Sequence, residues 1–285
     1  MNARVEIINK GFFTTVQDGG RTGYAAMGVP ESGAMDRHSF FQANALLNNT
    51  KDAAMLECTL VGPTIKYYQD TYFVITGAHV KATLDGQPVK IGVPTLARAS
   101  QTLITSKISQ GTRCYIAFGG GIESAITLNS KSWYTPITPN NHIRNGDTFS
   151  LGISTYDISK GAHIKYKYAY ASAGRVHTIK AYKGPEYTLL DYKQQQLLQQ
   201  LFTVSKLWNR MAIQLQEPVY NKLEGIMTSP VIPGTVQLTL SGKLIVLMRD
   251  CQTTGGYPRI LQIAQPSIDT LAQLQQGDTV LLSVT

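Results

Sequence analysis

Short apolar runs, each followed by a turn signal, recur along almost the whole chain, and this pattern restricts the possible folds most strongly. The run 72–75 (Tyr-Phe-Val-Ile) consists of aromatic and β-branched residues, which favour strands. Residues 84–87 predict a hairpin, because Asp85 and Gly86 supply the positive φ that a type I′ turn requires. Further strands are predicted at 5–8, 114–118, 148–151, 176–182, 211–216, 235–240, 244–248, 259–264 and 279–284. We therefore expect a mainly β fold.

Three segments have the residue spacing of a short helix instead. Residues 36–47 place Phe40, Ala43 and Leu47 on one face and begin with Asp36, a good N-cap. Residues 192–202 carry leucines and a phenylalanine at helical spacing among glutamines. Residues 268–274 follow Ser267, which we expect to be the N-cap of the last helix. The sequence thus predicts few helices, all of them short.

Two pairs of similar segments indicate that the chain consists of two related halves. Residues 145–148 (Asn-Gly-Asp-Thr) and 276–279 (Gln-Gly-Asp-Thr) each precede a predicted strand. Residues 17–24 and 252–257 are both Gln- and Gly-rich loops that end at a tyrosine. A length of 285 residues is also comfortable for two domains. We predict two barrel-like domains, at 1–160 and 161–285, joined near the polar stretch 154–174.

Charge and cysteine content argue against several classes of protein. The net charge is +8, from 26 Lys and Arg against 18 Asp and Glu, but the basic residues are dispersed and match no nucleic-acid motif. No apolar run approaches the ~20 residues that a transmembrane helix needs, and residues 1–10 lack the apolar region of a signal peptide. The three cysteines form no Cys-x-x-Cys pair, so neither a zinc site nor a disulfide framework is indicated. We expect a soluble cytoplasmic protein that binds neither nucleic acid nor membrane.

The loop at 14–36 is the first candidate for ligand binding. Its glycines allow the backbone to come close to a ligand. Asp18 can accept hydrogen bonds, Arg21 can bind a carboxylate or phosphate, and Ser32 and Asp36 can hydrogen-bond polar atoms. Clusters of Gly, Asp and Ser are equally typical of ordinary turns, so the loop by itself also fits a structural role.

The loop at 250–259 is the second candidate. After Asp250 and Cys251 it continues as Gln-Thr-Thr-Gly-Gly-Tyr-Pro. Backbone N–H groups at such a turn can form a nest that binds an anion. A Gly-rich β-turn with threonines that pair across strands is the alternative. The chain has no GxxxxGK[ST] motif, so bound ATP would not be held by a Walker loop.

Other reactive residues carry weaker signals. Cys251 lacks the neighbouring base that activates a nucleophilic thiol, which favours an inert thiol. The five histidines show no metal-binding spacing and are expected to be ordinary surface or core residues. Residues 119–121 are consecutive glycines without a GxGxxG pattern, which favours a structural turn over a phosphate site.

Taken together, these stretches resemble the family of the 5-oxoprolinase C subunit and allophanate hydrolase subunit 2, a carboxyltransferase-like group that includes the Kip-inhibitor antagonists. The most specific stretches are Val-Gln-Asp-x-Gly-Arg-x-Gly-Tyr at 16–24 and Gln-Thr-Thr-Gly-Gly-Tyr-Pro at 252–258. Further landmarks follow in the family's order at 28–36, 43–44, 56–57, 119–122, 209–211 and 233–258. The resemblance therefore covers nearly the whole chain.

The resemblance implies two cyclophilin-like β-barrel domains with a few short helices. It implies a subunit of an ATP-dependent 5-oxoprolinase, which opens the lactam of 5-oxoproline to L-glutamate. The implied partners are a Kip-inhibitor-like chain, similar to the B subunit of 5-oxoprolinase, and a lactam-utilisation protein similar to its A subunit. ATP would be held by the complex, and we expect activity only within that complex.

Two other functions stay open within the same resemblance. A similar module in urea carboxylase is half of the carboxyltransferase that moves a carboxyl group from carboxybiotin to urea. No Met-Lys-Met tripeptide occurs in this chain, so biotin would be attached to another protein. The third interpretation is a non-catalytic regulator that antagonises a Kip-inhibitor-like partner.

Lactam opening requires cations and N–H donors for the developing negative charge and a carboxylate for proton transfer. On this basis we predict catalytic roles for Asp18, Arg21, Asp250 and Thr254. We predict substrate binding by Gln17, Tyr24, Ser32, Asp36, Asn44, Glu57, Arg210, Gln252, Thr253, Gly255, Gly256 and Tyr257. Two places depart from the family's pattern. Residues 128–134 replace a Gly-Ser-Arg-Ser-Thr stretch, and Cys251 stands where a basic residue is usual.

Overall fold

The structure is a computed structural model that describes residues 3–156 and 176–285. Its contacts divide the chain into two compact units. The first comprises Met1–Arg21 and Ser32–Tyr170, and the second comprises Thr22–Glu31 and Ala171–Thr285. The predicted boundary at 160, with most of the predicted connection, lies outside the described residues.

The first unit is built around a nine-stranded sheet in which all strand pairs are antiparallel. Its strands are β1 (Arg4–Asn9), β2 (Phe13–Gln17), β3 (Met55–Thr59), β4 (Thr64–Tyr67), β5 (Thr71–Leu84), β6 (Gln87–Pro88), β7 (Thr95–Ala97), β8 (Thr102–Phe118) and β9 (Thr148–Ser150). The order along the main path is β2-β3-β8-β4-β1-β9, and β5 pairs with β6, β7 and β8. Apolar side chains such as Val5, Ile7, Phe73 and Phe118 form its core, so the alternating pattern of the sequence places every second residue inside.

Helix α1 (Arg37–Leu46) confirms the helix that the 36–47 pattern predicts, and it packs against β5 and β8 of this sheet. Asp36 is the N-cap, because its side chain accepts a hydrogen bond from Ser39 N. Phe40 and Ala43 on the apolar face contact Val74 of β5 in a second buried cluster. This packing fixes the position of the loop that leads into the helix.

The second unit is a closed barrel in the order β10-β17-β14-β15-β12-β11-β18. Its strands are β10 (Val176–Lys183), β11 (Leu201–Trp208), β12 (Ala212–Leu215), β14 (Thr235–Leu238), β15 (Leu244–Leu247), β17 (Arg259–Ile263) and β18 (Thr279–Val284). The pair β10–β18 is parallel and the other pairs of the barrel are antiparallel. Two short strands, β13 (Ser229–Pro230) and β16 (Thr254–Gly255), form a separate ribbon. Helices α2 (Tyr192–Leu197) and α3 (Gln265–Leu271) complete the unit.

Most of the predicted elements are confirmed, including the mainly β class with few short helices. The hairpin at 84–87 has the expected left-handed residues, with φ of 46° at Asp85 and 80° at Gly86. All of the strand segments predicted above contain a strand. Local turn chemistry and the two-residue period locate these strands, but β2 (Phe13–Gln17) overlaps the 14–36 stretch that the sequence predicts as a loop.

Two helix predictions need correction. The second helix ends at Leu197, and the continuing apolar residues belong to β11, where Phe202 pairs with Val280 inside the barrel. Tertiary pairing overrides the helical spacing there. The last helix begins at Gln265 with Ala264 as N-cap, and Ser267 Oγ accepts from Lys180 N (3.0 Å) instead of capping.

Among the described residues, no helix has the length and apolar character that crossing a bilayer requires.

Candidate functional site

The side chain of Asp18 is buried at the end of β2 and accepts four hydrogen bonds. Oδ1 accepts from Gly20 N (2.8 Å), Ser130 Oγ (2.7 Å) and Ser132 Oγ (2.5 Å). Oδ2 accepts from Lys131 N (2.5 Å). Four donors match the acceptor capacity of a carboxylate. The geometry therefore favours a positioning role for Asp18, which joins the Gly-rich turn to the 130–132 segment, over proton transfer.

Arg21 lies buried in the same turn, and its guanidinium donates to the carbonyl oxygen of Ser132. The backbone around it is tightly packed, since a Cβ at Gly33 would lie 2.7 Å from Gly20 N. Gly33 also has φ +82°, a conformation that side chains with a Cβ rarely adopt. Arg21 and Asp18 thus hold the same segment from two sides.

Glu57, Tyr115 and Asp36 form a buried polar network at the end of the 14–36 loop. Glu57 Oε2 accepts from Tyr115 Oη (2.8 Å) and from Met35 N (2.7 Å). The Asp36 N–H donates to Tyr115 Oη (2.8 Å). Burial, and next the charges of Glu57 and Asp36, raise the pKa of Tyr115 well above its usual value, so its hydroxyl remains protonated at neutral pH. The network fixes two backbone N–H groups and gives Glu57 and Asp36 a structural role.

Asn44 and Gln17 are also buried and bonded within the first unit. Asn44 Nδ2 donates to the carbonyl oxygens of Lys51 (3.0 Å) and Ala53 (2.9 Å). Gln17 Nε2 donates to the carbonyl oxygen of Trp133 (3.2 Å). Asn44 joins α1 to the 51–53 segment, and Gln17 joins β2 to Trp133, so their predicted substrate contacts would require these bonds to be exchanged.

Ser32 differs from these residues, because its hydroxyl has no hydrogen-bond partner within the described part of the chain. The residue is fully buried and has φ 54°. Burying an unpaired hydroxyl costs free energy, and so does a left-handed backbone conformation at a residue other than glycine. Such strained or unsatisfied residues are found most often at functional sites. Of the predicted residues in the first unit, Ser32 is the one whose substrate-binding role this geometry supports best.

The predicted site residues fall into two sets. Gln17, Asp18, Arg21, Ser32, Asp36, Asn44 and Glu57 lie in the first unit. Tyr24 and the predicted residues from Arg210 to Tyr257 lie in the second. Tyr24 precedes a 3₁₀ turn at Ala25–Met27, and its carbonyl oxygen accepts from Met27 N (2.9 Å).

Arg210 and Asp250 form a buried, bidentate ion pair in the second unit. Arg210 Nε donates to Asp250 Oδ2 (2.6 Å) and Nη2 donates to Oδ1 (3.0 Å). The Asp250 N–H donates to the carbonyl oxygen of Arg210 (2.9 Å). The pair fixes the start of the 250–257 loop to the turn between β11 and β12. Both residues are therefore placed to position the loop.

The 252–257 segment contains β16 and pairs with β13 in the ribbon, and its backbone does not form the anion nest that the sequence left open. The carbonyl oxygens of Thr253 and Gly256 accept from Val231 N (3.0 Å) and Ile226 N (2.9 Å). Neither Gly255 nor Gly256 has a positive φ. A nest needs successive residues of opposite hand, which this segment lacks.

Side chains of the ribbon are nevertheless available to a ligand. Gln252, Thr254 and Tyr257 are exposed, and Thr253 is half-buried. The hydroxyls of Thr253 and Thr254 have no partner among the residues that the structure describes. The ribbon therefore offers hydroxyl and amide groups, and no cation of its own, to a bound molecule.

Cys251 has the properties of an inert thiol, as the sequence suggests. It is buried, and burial, followed by the charge of Asp250, raises its pKa to about 12. At pH 8 only roughly one thiol in 10,000 would be ionised at such a pKa. A nucleophilic role for Cys251 is therefore disfavoured.

We expect the native chain to resist thiol reagents at pH 8. All three cysteines are free and buried. Reaction with an aromatic disulfide reagent should release almost no chromophore from the folded chain and about three equivalents in denaturant, because only thiolates react. One thiol that reacts within seconds in the folded chain would contradict the burial of one of the three cysteines. The Cys251→Ser variant identifies that thiol.

The glycines at 119–121 form a structural turn, as predicted. The N–H groups of Gly119, Gly120 and Gly121 donate to Tyr72 O (2.8 Å), Asn49 Oδ1 (2.8 Å) and Phe118 O (2.9 Å). No N–H group of this turn is left for a phosphate.

Within residues 3–156 and 176–285 there is also no group of three or more His, Cys, Asp or Glu that could hold a metal ion.

Sequence reasoning missed several residues that complete these networks. Ser130 and Ser132 lie in the 128–134 stretch, where only a departure from the family's pattern drew attention. Tyr115 was part of a predicted apolar strand. Its hydroxyl was the available signal, since a buried tyrosine usually needs a hydrogen-bond partner.

Comparison with known proteins gives consistent similarities. A family model described as "Carboxyltransferase domain, subdomain A and B" matches residues 27–283. The C subunit of 5-oxoprolinase from Escherichia coli (strain K12) is 32% identical over 97% of this chain and 89% of its own. The urea amidolyase of Saccharomyces cerevisiae is 39% identical over 46% of this chain, but over only 7% of its own length. The solved structure of TTHA0988 superposes with a TM-score of 0.88 at 24% identity, covering 99% of this chain and 56% of that one. This last likeness supports the fold alone.

Proposed function

Because the chain belongs to the family of the carboxyltransferase domain, subdomain A and B, we propose that it is a subunit of an ATP-dependent 5-oxoprolinase. This enzyme opens the lactam of 5-oxoproline to L-glutamate. The observation that carries the proposal is the 32% identity to a protein named as the C subunit of 5-oxoprolinase, over 97% of this chain and 89% of the relative. Because the similarity covers nearly the full length of both proteins, it favours a common function over the sharing of a single domain.

The word "subunit" in the relative's name points to a complex with other chains. We propose that the partners are a Kip-inhibitor-like chain, similar to the B subunit of 5-oxoprolinase, and a lactam-utilisation protein similar to its A subunit. The complex acts in the cytoplasm, and this chain is active only within it. Such an arrangement fits the geometry, since several of its carboxylates are already engaged within the chain.

ATP would activate the lactam oxygen by phosphorylation, because an amide is a poor electrophile. Two glycine-rich turns of this chain, at 119–121 and 255–256, do not fit a phosphate cradle. The N–H groups at 119–121 are paired, and neither Gly255 nor Gly256 has a positive φ. We therefore place ATP on the partner subunits.

The chain's own contribution is to bind and orient the lactam. Asp18 and Asp250 hold the two loops through buried bonds, and Arg210 holds the second loop with Asp250. The hydroxyls of Thr253 and Thr254, which bond to none of the described residues, can donate to a substrate oxygen. Hydrogen bonds that align the lactam with its attacking group lower the barrier through orientation.

The test is 5-oxoproline-dependent ATP hydrolysis and glutamate release by the purified complex, with each component left out in turn. We expect activity to need every component. Thr254→Ala should lower kcat/KM about 10-fold, the effect of one lost hydrogen bond. Thr228→Ala is the matched control, because Thr228 is also exposed and lies beside β13. A stable complex that forms no glutamate under any condition would contradict the proposal.

Carboxyl transfer is the second candidate, and the description of the family model favours it. In that case the chain would accept carboxybiotin from another protein and carboxylate urea or a similar amide. The same purified complex can be given urea and a carrier protein whose biotin has been carboxylated beforehand by a biotin carboxylase with ATP and bicarbonate. Urea-dependent turnover without glutamate release would select this function. Tight partner binding with neither turnover would select the regulatory alternative.

A further inference from the structure

Gln237 on β14 is a buried amide that the function described so far does not use. Its side chain is 2% exposed. Its neighbours Val236 and Leu238 are buried, and because side chains alternate along a strand, Gln237 lies on the opposite face of the barrel wall. Gln237 Oε1 accepts a long hydrogen bond from Gln252 Nε2 (3.4 Å). Gln237 Nε2 has no hydrogen-bond partner within the described residues.

The unpaired amide nitrogen lies directly beneath the ribbon. A Cβ added to Gly255 would stand 2.3 Å from Gln237 Nε2 and 3.5 Å from Val231 Cγ1. Glycine at 255 is therefore what allows the amide to reach this position. Gly256 differs, since a Cβ there would meet its nearest atom, Ile226 O, at 3.6 Å.

We propose that Gln237 Nε2 donates a hydrogen bond to a carbonyl or carboxylate oxygen of the substrate bound at the 252–257 ribbon. The proposal rests on the proposed function and adds a specificity-determining residue to it. Buried donors are almost always paired, so an unpaired one indicates a partner that binds. A neutral amide suits an amide, lactam or carboxylate oxygen and rejects analogues that lack the acceptor.

Because Gly255 covers Gln237 Nε2, the proposal requires the ribbon to shift away from the barrel wall when the substrate binds. The ribbon is held by two residue pairs between β13 and β16 and by the bonds from Val231 N and Ile226 N. Gln252 is exposed, so its hydrogen bond to Gln237 is easily exchanged for one to a ligand. The two glutamine amides then present two acceptor oxygens and four N–H donors to the substrate.

Kinetics of the assembled enzyme test the assignment. Gln237→Leu should raise KM for 5-oxoproline about 10-fold, while the melting temperature stays equal or rises because a buried unpaired donor is removed. Gln214→Leu is the matched control, because Gln214 and Gln237 both pair with Ile245 from neighbouring strands. Gly255→Ala should displace the amide and raise KM similarly, and the double variant should be no worse than either single one. An unchanged KM in Gln237→Leu, or additive effects in the double variant, would overturn the proposal.

A binding measurement on the chain alone separates this proposal from the proposed function. The side-chain amide resonance of Gln237 is assigned by its loss in Gln237→Leu, and 5-oxoproline or urea is then titrated into the ¹⁵N-labelled chain. A shift with 5-oxoproline supports both the residue and the function. A shift with urea alone supports the residue and sinks the 5-oxoprolinase function. No shift with either probe, together with unaltered kinetics of the variant, overturns the role of Gln237.

Discussion

Arg210→Met is expected to lower the free energy of unfolding by about 3–5 kcal/mol, because Asp250 would stay buried without the guanidinium that neutralises it. The two side chains are 9% and 6% exposed and share two hydrogen bonds. Burial leaves little water to solvate the remaining carboxylate. Urea-induced unfolding, followed by circular dichroism and tryptophan fluorescence, measures the change. Activity of the complex should fall as well, since Asp250 begins the ribbon loop.

Two controls identify burial as the cause. The exposed pair Arg98–Asp70 has the same 2.6 Å separation, yet Arg98→Ala should leave the unfolding midpoint within error, because solvent screens that pair. The double variant Arg210→Met/Asp250→Leu should regain most of the lost stability, as no buried charge remains. A single Arg210 variant as stable as the parent chain would show that Asp250 finds water or another partner.

Asp18→Ala is expected to be the most damaging change in the first unit, with the free energy of unfolding lower by about 3 kcal/mol or more. Four buried hydrogen-bond donors would lose the carboxylate that now accepts from all of them. The turn at 18–21 and the segment at 130–132 should both become mobile. Hydrogen exchange measured by mass spectrometry should show faster exchange in these two segments and little change in the second unit. Asp18→Asn should give a smaller loss, since one acceptor oxygen remains.

A matched control uses an aspartate with a single exposed bond. Asp85 accepts from Thr102 N (2.8 Å) at the hairpin, and Asp85→Ala should leave exchange at 18–21 unchanged. The Asp18 variants also test the chemical role that the sequence suggests. Lost turnover with an intact fold and unchanged exchange would make Asp18 a catalytic group and contradict the positioning role that its four hydrogen bonds favour.

Local sequence rules located the secondary structure well. The Asp85-Gly86 hairpin, the Asp36 cap and the strands depend on residues that are neighbours in the chain. The same rules failed where distant partners decide. Phe202 continues a helical spacing but joins β11, because pairing with Val280 of β18 completes the barrel.

Residue types in the two polar loops predicted where ligands could bind, but they could not predict how each side chain is used. In sequence, Asp18 and Asp250 are alike as candidates for proton transfer, and Glu57 is a candidate for substrate binding. Each is engaged by groups far along the chain: Ser132, Tyr115 and Arg210. By contrast, the hydroxyl of Ser32 and the amide nitrogen of Gln237 are buried without partners in the described structure, which no local pattern reveals.

The sequence by itself determined the mainly β class, the turns, the first helix and the family, because periodicity, backbone preference and motif order are properties of the chain alone. Only the tertiary structure decided which polar groups are already paired and which remain for a ligand. Asp18 meets Ser130 and Ser132 across more than 110 residues, and Gln237 meets Gly255 across a folded ribbon. Hydrogen bonding falls off within a few ångströms, so its partners are known only once the fold has brought distant segments together.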